Sequence, residues 1–241
     1  MMSDPLEQFK IYNILPIRIG CLDISMTNSS LWMLLSVLSF VALGYLSVNK
    51  KTLVPNFLQI SFEKFVVFVE DMTQSYIGEL KPYFFPVFAL FVFVAFSNIL
   101  GLIPHSFTVT SQIIVTFTLS FIVFFASTLL GFLKHGVGFF SFFIPKDLPF
   151  YMIPLLFVIE VISYFFRPIS LAVRLFANMM AGHVILKIFL GFSGFLGVFW
   201  GLFPACISVV LFGFEAFIAI LQSYVFALLT CLYIRDAIYL H

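Results

Sequence analysis

Apolar residues run through this chain in blocks rather than in alternation. Residues 31–48, LWMLLSVLSFVALGYLSV, form one block and end at Asn49-Lys50-Lys51. Residues 83–103 form a second, closed by Ile103-Pro104-His105, and residues 107–133 a third, ending at Lys134-His135. A helix rises about 1.5 Å per residue, so each block predicts one crossing of a hydrocarbon layer ~30 Å thick. The last two blocks, 149–190 and 195–234, are about twice that length, or ~60 Å as helix. Pro154, Pro168 and Pro204 are candidate breakers of these runs. However, neither run has a polar turn in its middle, and a backbone turn in lipid leaves hydrogen-bonding groups unmet. The turn signal is GFSGFLG, residues 191–197. The pattern predicts a hairpin of two long helices, inclined by roughly 60° if each crosses once, beyond the usual range of about 0–40°.

One stretch has a different rhythm. In NFLQISFEKFVVFVEDMTQSYIGELK (56–81), Glu63 and Glu70, and Lys64 and Asp71, recur at seven residues. Phe57, Ile60, Phe65, Phe68, Val69 and Met72 supply the other side. This amphipathic pattern predicts a helix lying in the headgroup layer. The predicted fold class is therefore an all-α polytopic membrane protein. An N-terminal segment (1–30) leads to three transmembrane helices, with the interfacial helix after the first. The long hairpin and a short tail (235–241) complete the chain.

Composition agrees with that reading. Of 241 residues, 62% are hydrophobic and 10% charged, and the mean hydropathy is +1.15. A soluble domain carries about 25% charged residues, and none of this size hides so much apolar surface. The formal net charge of +1 and the lack of a basic patch give no sign of a nucleic-acid partner. Cys21, Cys206 and Cys231 form no CxxC pair and read as inert thiols. The N-terminus, MMSDPLEQFK, has acids and no apolar core, so it does not read as a signal peptide. Basic residues set the orientation. With the N-terminus outside, Lys50, Lys51, Lys64, Lys81, Lys134, Lys146 and Arg235 collect on the inner side. Lys10, Arg18 and Lys187 then remain outside, so the 191–197 turn is an outer one.

That topology sorts the polar groups of the long helices. Glu160 and Asp236 fall near the inner ends, His183 and Glu215 toward the outer turn, and Arg174 between them. Charges in lipid are costly enough that function is their default explanation. Guanidinium stays protonated, so Arg174 carries no proton in relay. No acid lies within one turn of it. Its partner is either Glu215 or Glu160 of this chain, or a carboxylate on a partner that comes and goes. A histidine exchanges protons near neutral pH. Glu215 and Gln222, seven residues apart, share a helix face at ~10 Å. Nine residues place His183 about 180° from Arg174. Either the helix is distorted near Gly182, or the two face different neighbours.

Other chemistry is absent. No P-loop, GxSxG, HExxH or GxGxxG occurs. Asn28-Ser29-Ser30 matches a glycosylation triplet of a kind common by chance, and His105 and His135 lie at loop ends as solvated histidines. Neither a cofactor nor a metal site is expected. A secondary transporter would show internal repeats, and the two long blocks share none. An intramembrane enzyme would need a nucleophile–base pair, and none stands out.

The stretch SLAVRLFANMMAGH (170–183) is similar to a known signature. With FEAFIAILQSYVFALL (214–229) and RDAIYLH (235–241), it resembles subunit a of F-type ATP synthase, from about Leu148 to His241. The first hundred residues agree in layout more than in motif. The resemblance implies that Arg174 faces the passing carboxylates of a rotating c-ring. It implies an outer half-channel lined by Asn178, His183, Glu215 and Gln222, and an inner one past Glu160 and Asp236. It also implies that 56–81 contacts the peripheral stalk, beside other membrane subunits of the synthase. On this resemblance the chain is not an enzyme alone but couples H⁺ flow to rotation and ATP synthesis. The placement of His183 and Glu215 is similar to the mitochondrial form, and the 36 phenylalanines suit an AT-rich organellar genome. Both point to the mitochondrial inner membrane.

Overall fold

The structure of the chain, a computed structural model, describes residues 9–16, 18–19, 22–23, 25–48, 56–78, 80–103, 106–136, 138–139, 150–196 and 200–239. Cys21, Lys50, Lys51, His105, Lys146 and Gly197 of the inferred turn lie outside the described residues.

Six helices carry the fold: α1 (Asn28–Val48), α2 (Phe57–Ile77), α3 (Leu80–Gly101), α4 (Ile113–His135), α5 (Ile153–Phe195) and α6 (Leu202–Ile238). All but α2 are long and apolar enough to cross a membrane. The N-terminal segment adds what the sequence pattern did not predict, two small antiparallel ladders. Strand β1 (Asn13–Leu15) pairs with β4 (Met26–Thr27), and β2 (Arg18–Ile19) with β3 (Leu22–Asp23).

The cap of α1 is local chemistry. Ser30 N donates to Thr27 Oγ1 at 3.3 Å and Thr27 N to Ser30 Oγ at 3.0 Å, a reciprocal cap that starts the helix ahead of its apolar run. Asn28, the residue of the glycosylation triplet, works as a clamp. Its Oδ1 accepts from Tyr12 N at 3.2 Å and its Nδ2 donates to Lys10 O at 3.1 Å.

The third block departs from expectation at its start. Residues 106–111 are not helical but end in a 3-10 turn, Val109–Ser111. Ser106 donates to Gly101 O at 2.9 Å and Ser111 to Thr108 O at 2.7 Å. Hydroxyl groups that satisfy nearby carbonyls compete with a helical ladder, so α4 waits until Ile113.

Both long helices are unbroken over 43 and 37 residues, about 65 and 56 Å at 1.5 Å per residue. The prolines explain their ends rather than their middles. Pro154 and Pro204 stand in first turns, where a missing N–H costs nothing. Pro168 is interior. It removes one bond of the ladder, while Ser120 of α4 donates to its carbonyl at 2.6 Å. Residues 191–195, assigned to the turn by sequence, continue α5.

Helix α6 is the hub, packing on α2, α3, α4 and α5. Val69 and Met72 of α2, Val87 of α3 and Ala227 and Cys231 of α6 share one apolar cluster. Val94, Val123, Leu171, Leu175 and Phe226 form another, drawn from α3 to α6. The apolar side of α2 is thus partly spent on protein contacts. His135 also differs from its reading as a solvated loop residue: its Nε2 lies 3.0 Å from the carbonyl of Ile238, joining the C-terminal ends of α4 and α6.

Candidate proton-path site on the two long helices

Antiparallel packing of α5 on α6 brings the sequence-selected polar residues together in two groups. In the first, Glu215 Oε1 stands 3.5 Å from His183 Nε2. Glu215 is buried at 5% exposure, and neither carboxylate oxygen nor Nε2 has a hydrogen-bond partner among the described residues. A carboxylate reaches this position because residue 182 is glycine. A Cβ there would sit 2.6 Å from Glu215 Oε1 and 2.8 Å from its Cδ, closer than nonbonded atoms approach. Gln222 is buried on the same α6 face, two turns inward of Glu215. Asn178 is half-buried on α5, between the levels of Arg174 and His183.

In the second, the structure adds a residue that sequence reasoning passed over. Arg167 Nη1 donates to Asp236 Oδ2 at 3.0 Å, and its Nη2 lies 4.0 Å from Glu160 Oε1. Its guanidinium also stands 5.5 Å from the Tyr164 ring centre and 5.8 Å from that of Tyr233. Glu160, Tyr164 and Arg167 follow i, i+4, i+7 spacing, which puts them on one helix face. That spacing was the available signal. Tyr164, Arg167, Tyr233 and Asp236 line a narrow cleft with Phe124 and Ser127 of α4.

Removing the guanidinium leaves two carboxylates with no cation between them. Arg167→Gln is expected to lower the thermal midpoint of the detergent-solubilised chain. The expected loss is roughly 1–2 kcal/mol, below the 3–5 of a fully buried pair, because these side chains are about one-third exposed. Arg167→Lys is expected to recover only part, since one ammonium does not reproduce the planar fork. Circular-dichroism melting of both variants checks it.

Arg174 belongs to neither group. Its side chain is exposed, and it makes no ion pair among the described residues, so the internal bridge to Glu215 or Glu160 does not form. The helix is continuous through Gly182. The half-turn offset therefore has its second explanation: His183 faces α6, and Arg174 faces outward. Ser170, Ala177 and Ala181 are exposed alongside it, a shallow strip that lets another helix approach closely.

Asn98 is a second omission. It is fully buried in α3, and its Nδ2 donates to the carbonyl of Ala219, one turn from Glu215, at 3.0 Å. A lone asparagine in an apolar span was its only mark in the sequence.

Helices of this length, holding ionisable groups between them at two depths, define an integral membrane protein built to pass ions. A family model described as ATP synthase A chain matches residues 30–235, and the chain belongs to that family. It is similar to the ATP synthase subunit a of Pelagibacter ubique (strain HTCC1062), 47% identical over 243 residues and the full length of both chains. It is also similar to that of Chelativorans sp. (strain BNC1), 46% identical over 246 residues and 99% of each. The chain is thus a membrane component of the proton-translocating ATP synthase. Both relatives are bacterial, so they do not support the mitochondrial form expected from the His183–Glu215 placement and the phenylalanine content. A multi-pass membrane location stands.

Proposed function

We propose that α5 and α6 form the fixed half of a rotary proton path, with two half-channels that never join. A proton from the outer side reaches the Glu215, His183, Gln222 and Asn178 group and neutralises a carboxylate on a turning ring of small helical subunits. Once neutral, that carboxyl group enters lipid at much lower cost. After most of a revolution it meets Arg174. A cation within ~4–6 Å favours the ionised carboxylate by about 1–3 pK units, so the proton leaves past Glu160, Arg167 and Asp236 toward the inner side. Arg174 also repels a proton hopping directly between the two groups. At ~2.3 kcal/mol per charge per 100 mV, several protons are needed for each ATP made elsewhere in the complex.

The observation that carries this reading is an exposed Arg174, without an ion pair among the described residues, on a strip of small residues midway between two internally arranged acidic groups. The polar side of α2 suits the peripheral stalk or another membrane subunit, because its apolar side already packs on α3 and α6. The steep inclination of α5 and α6 belongs to the same proposal, since each is about twice the bilayer thickness. The mitochondrial assignment rests on the His183–Glu215 placement and phenylalanine content alone, and the mechanism requires only an energised membrane.

The test uses the whole synthase in vesicles. Glu215→Gln is expected to slow proton-driven ATP synthesis by ~100-fold, the low end for losing a proton-transfer group, with the ring still co-purifying. Proton flux equal to that of the unaltered complex would remove Glu215 from the path.

A further inference from the structure

We propose that His135, at the end of α4, is a positioning residue for Asp236: it holds the last turn of α6 so that this carboxylate stays against Arg167. The inference rests on the half-channel reading above, which sends the proton out past Asp236, and extends it to a helix outside the long hairpin.

The last turn of a helix is its weakest. Its final four carbonyls find no partner within the ladder, and helix ends fray. Asp236 stands in that turn of α6, which ends at Ile238. Two of the carbonyls there are met in different ways. Tyr239 N donates to Arg235 O at 2.8 Å, a bond along the same stretch of chain. The carbonyl of Ile238 is met from another helix, by His135 Nε2 at 3.0 Å. A carbonyl only accepts, so the imidazole donates from Nε2, and it can do so in the neutral ring as well as in the charged one. The neighbouring Lys134 sets its ammonium 5.7 Å from the centre of the Tyr239 ring, within cation–π range. Two consecutive residues of α4 thus hold two consecutive residues at the end of α6.

The direction of this grip gives it a use. Two residues turn a helix by ~200°, so Ile238 lies close to the opposite side of α6 from Asp236. Arg167 of α5 ties one side through Asp236 at 3.0 Å, and His135 of α4 ties the other. Rotation or fraying of the last turn strains both bonds at once. With His135 removed, only the side-chain bond to Arg167 locates the Asp236 carboxylate, and the backbone that carries it is no longer held from α4.

An anchor must itself be fixed. Beyond α4 the chain turns at Gly136, at φ 56°, and Phe139 is buried against the helix it has just left. A Cβ at Gly131 would overlap the Phe139 ring, so glycine at that position makes room for it. The ring stands 4.7 Å from that of Phe132 and lines the same cleft as Arg167 and Asp236. The end of α4 is therefore packed into the group that it steadies.

The experiment is proton-driven ATP synthesis by the complete synthase in vesicles, with assembly checked by co-purification of the ring. His135→Phe keeps a ring and removes the donor. The expected rate loss is about fivefold, within what one hydrogen bond is worth. His135→Gln restores a side-chain N–H and is expected to recover most of the rate. Should His135→Phe fail to assemble, His135→Ala is read in the same way. A mutant cycle with Asp236→Asn separates positioning from general packing. If His135 acts through that carboxylate, its loss costs little more once Asp236→Asn has already slowed synthesis. Losses that multiply in the double variant overturn the proposal, and so does His135→Gln running as slowly as His135→Phe. His135→Phe at full rate beside a slow Asp236→Asn overturns the clamp and leaves the half-channel reading intact. Asp236→Asn at full rate takes that carboxylate out of the path, and the clamp falls with it.

Discussion

Replacing Arg174 by alanine is expected to abolish proton-driven ATP synthesis while the complex still assembles. Assembly should survive because Arg174 forms no ion pair among the described residues. The packing of α5 runs through Leu171, Ala172, Leu175 and Met179 instead. Synthesis should fail for two reasons. Without the cation, a carboxylate arriving from the rotor keeps its proton; a loss of about 1–3 pK units of assistance lowers the ionised fraction roughly tenfold to a thousandfold. Without the fixed charge, protons also cross between the outer and inner groups unaccompanied by rotation. The second effect has its own signature, a passive proton leak through vesicles that hydrolyse no ATP. Coupled synthesis at the level of the unaltered complex, measured after an acid pulse, would refute the assignment.

Gly182→Ala is expected to be nearly as damaging, although it adds only one methyl group. Glu215 Oε1 and Cδ occupy the space that the new Cβ requires, so either the carboxylate swings away from His183 or α5 and α6 part. Overpacking of this kind costs about 1–3 kcal/mol, roughly tenfold to a hundredfold if it falls on the proton step. A compensating change separates the two outcomes. Glu215→Asp is shorter by one methylene and withdraws its carboxylate from residue 182. The double variant should therefore recover synthesis that each single variant lacks. Additive losses in a full mutant cycle would show that the glycine acts elsewhere.

The spans and the separate orientations of Arg174 and His183 were legible because both follow from helical geometry. Apolar runs reveal their lengths directly, and nine residues at 100° apiece leave little freedom. The start of the third span was not legible. Phe107 and Val109 read as apolar helix, whereas the hydroxyls of Ser106 and Ser111 bond to nearby backbone carbonyls. Arg167 was overlooked for a related reason. Its partner Asp236 is 69 residues away on another helix, so only the intrahelical spacing to Glu160 marked it. Asn98 had no local mark at all. Its significance comes from Ala219, and no pattern within one span announces a carbonyl on another. The extended residues near the N-terminus depend likewise on Asn28, whose amide reaches back to Lys10 and Tyr12.

Pro168 gives α5 one soft joint. The helix loses a rung there, between two cations with different surroundings: Arg167 is tied to Asp236 on α6, while Arg174 is exposed. On the proposed mechanism, sideways thrust on Arg174 would be taken up in the roughly two turns that separate it from Arg167, leaving the group of Glu160, Arg167 and Asp236 in place as a rotor passes.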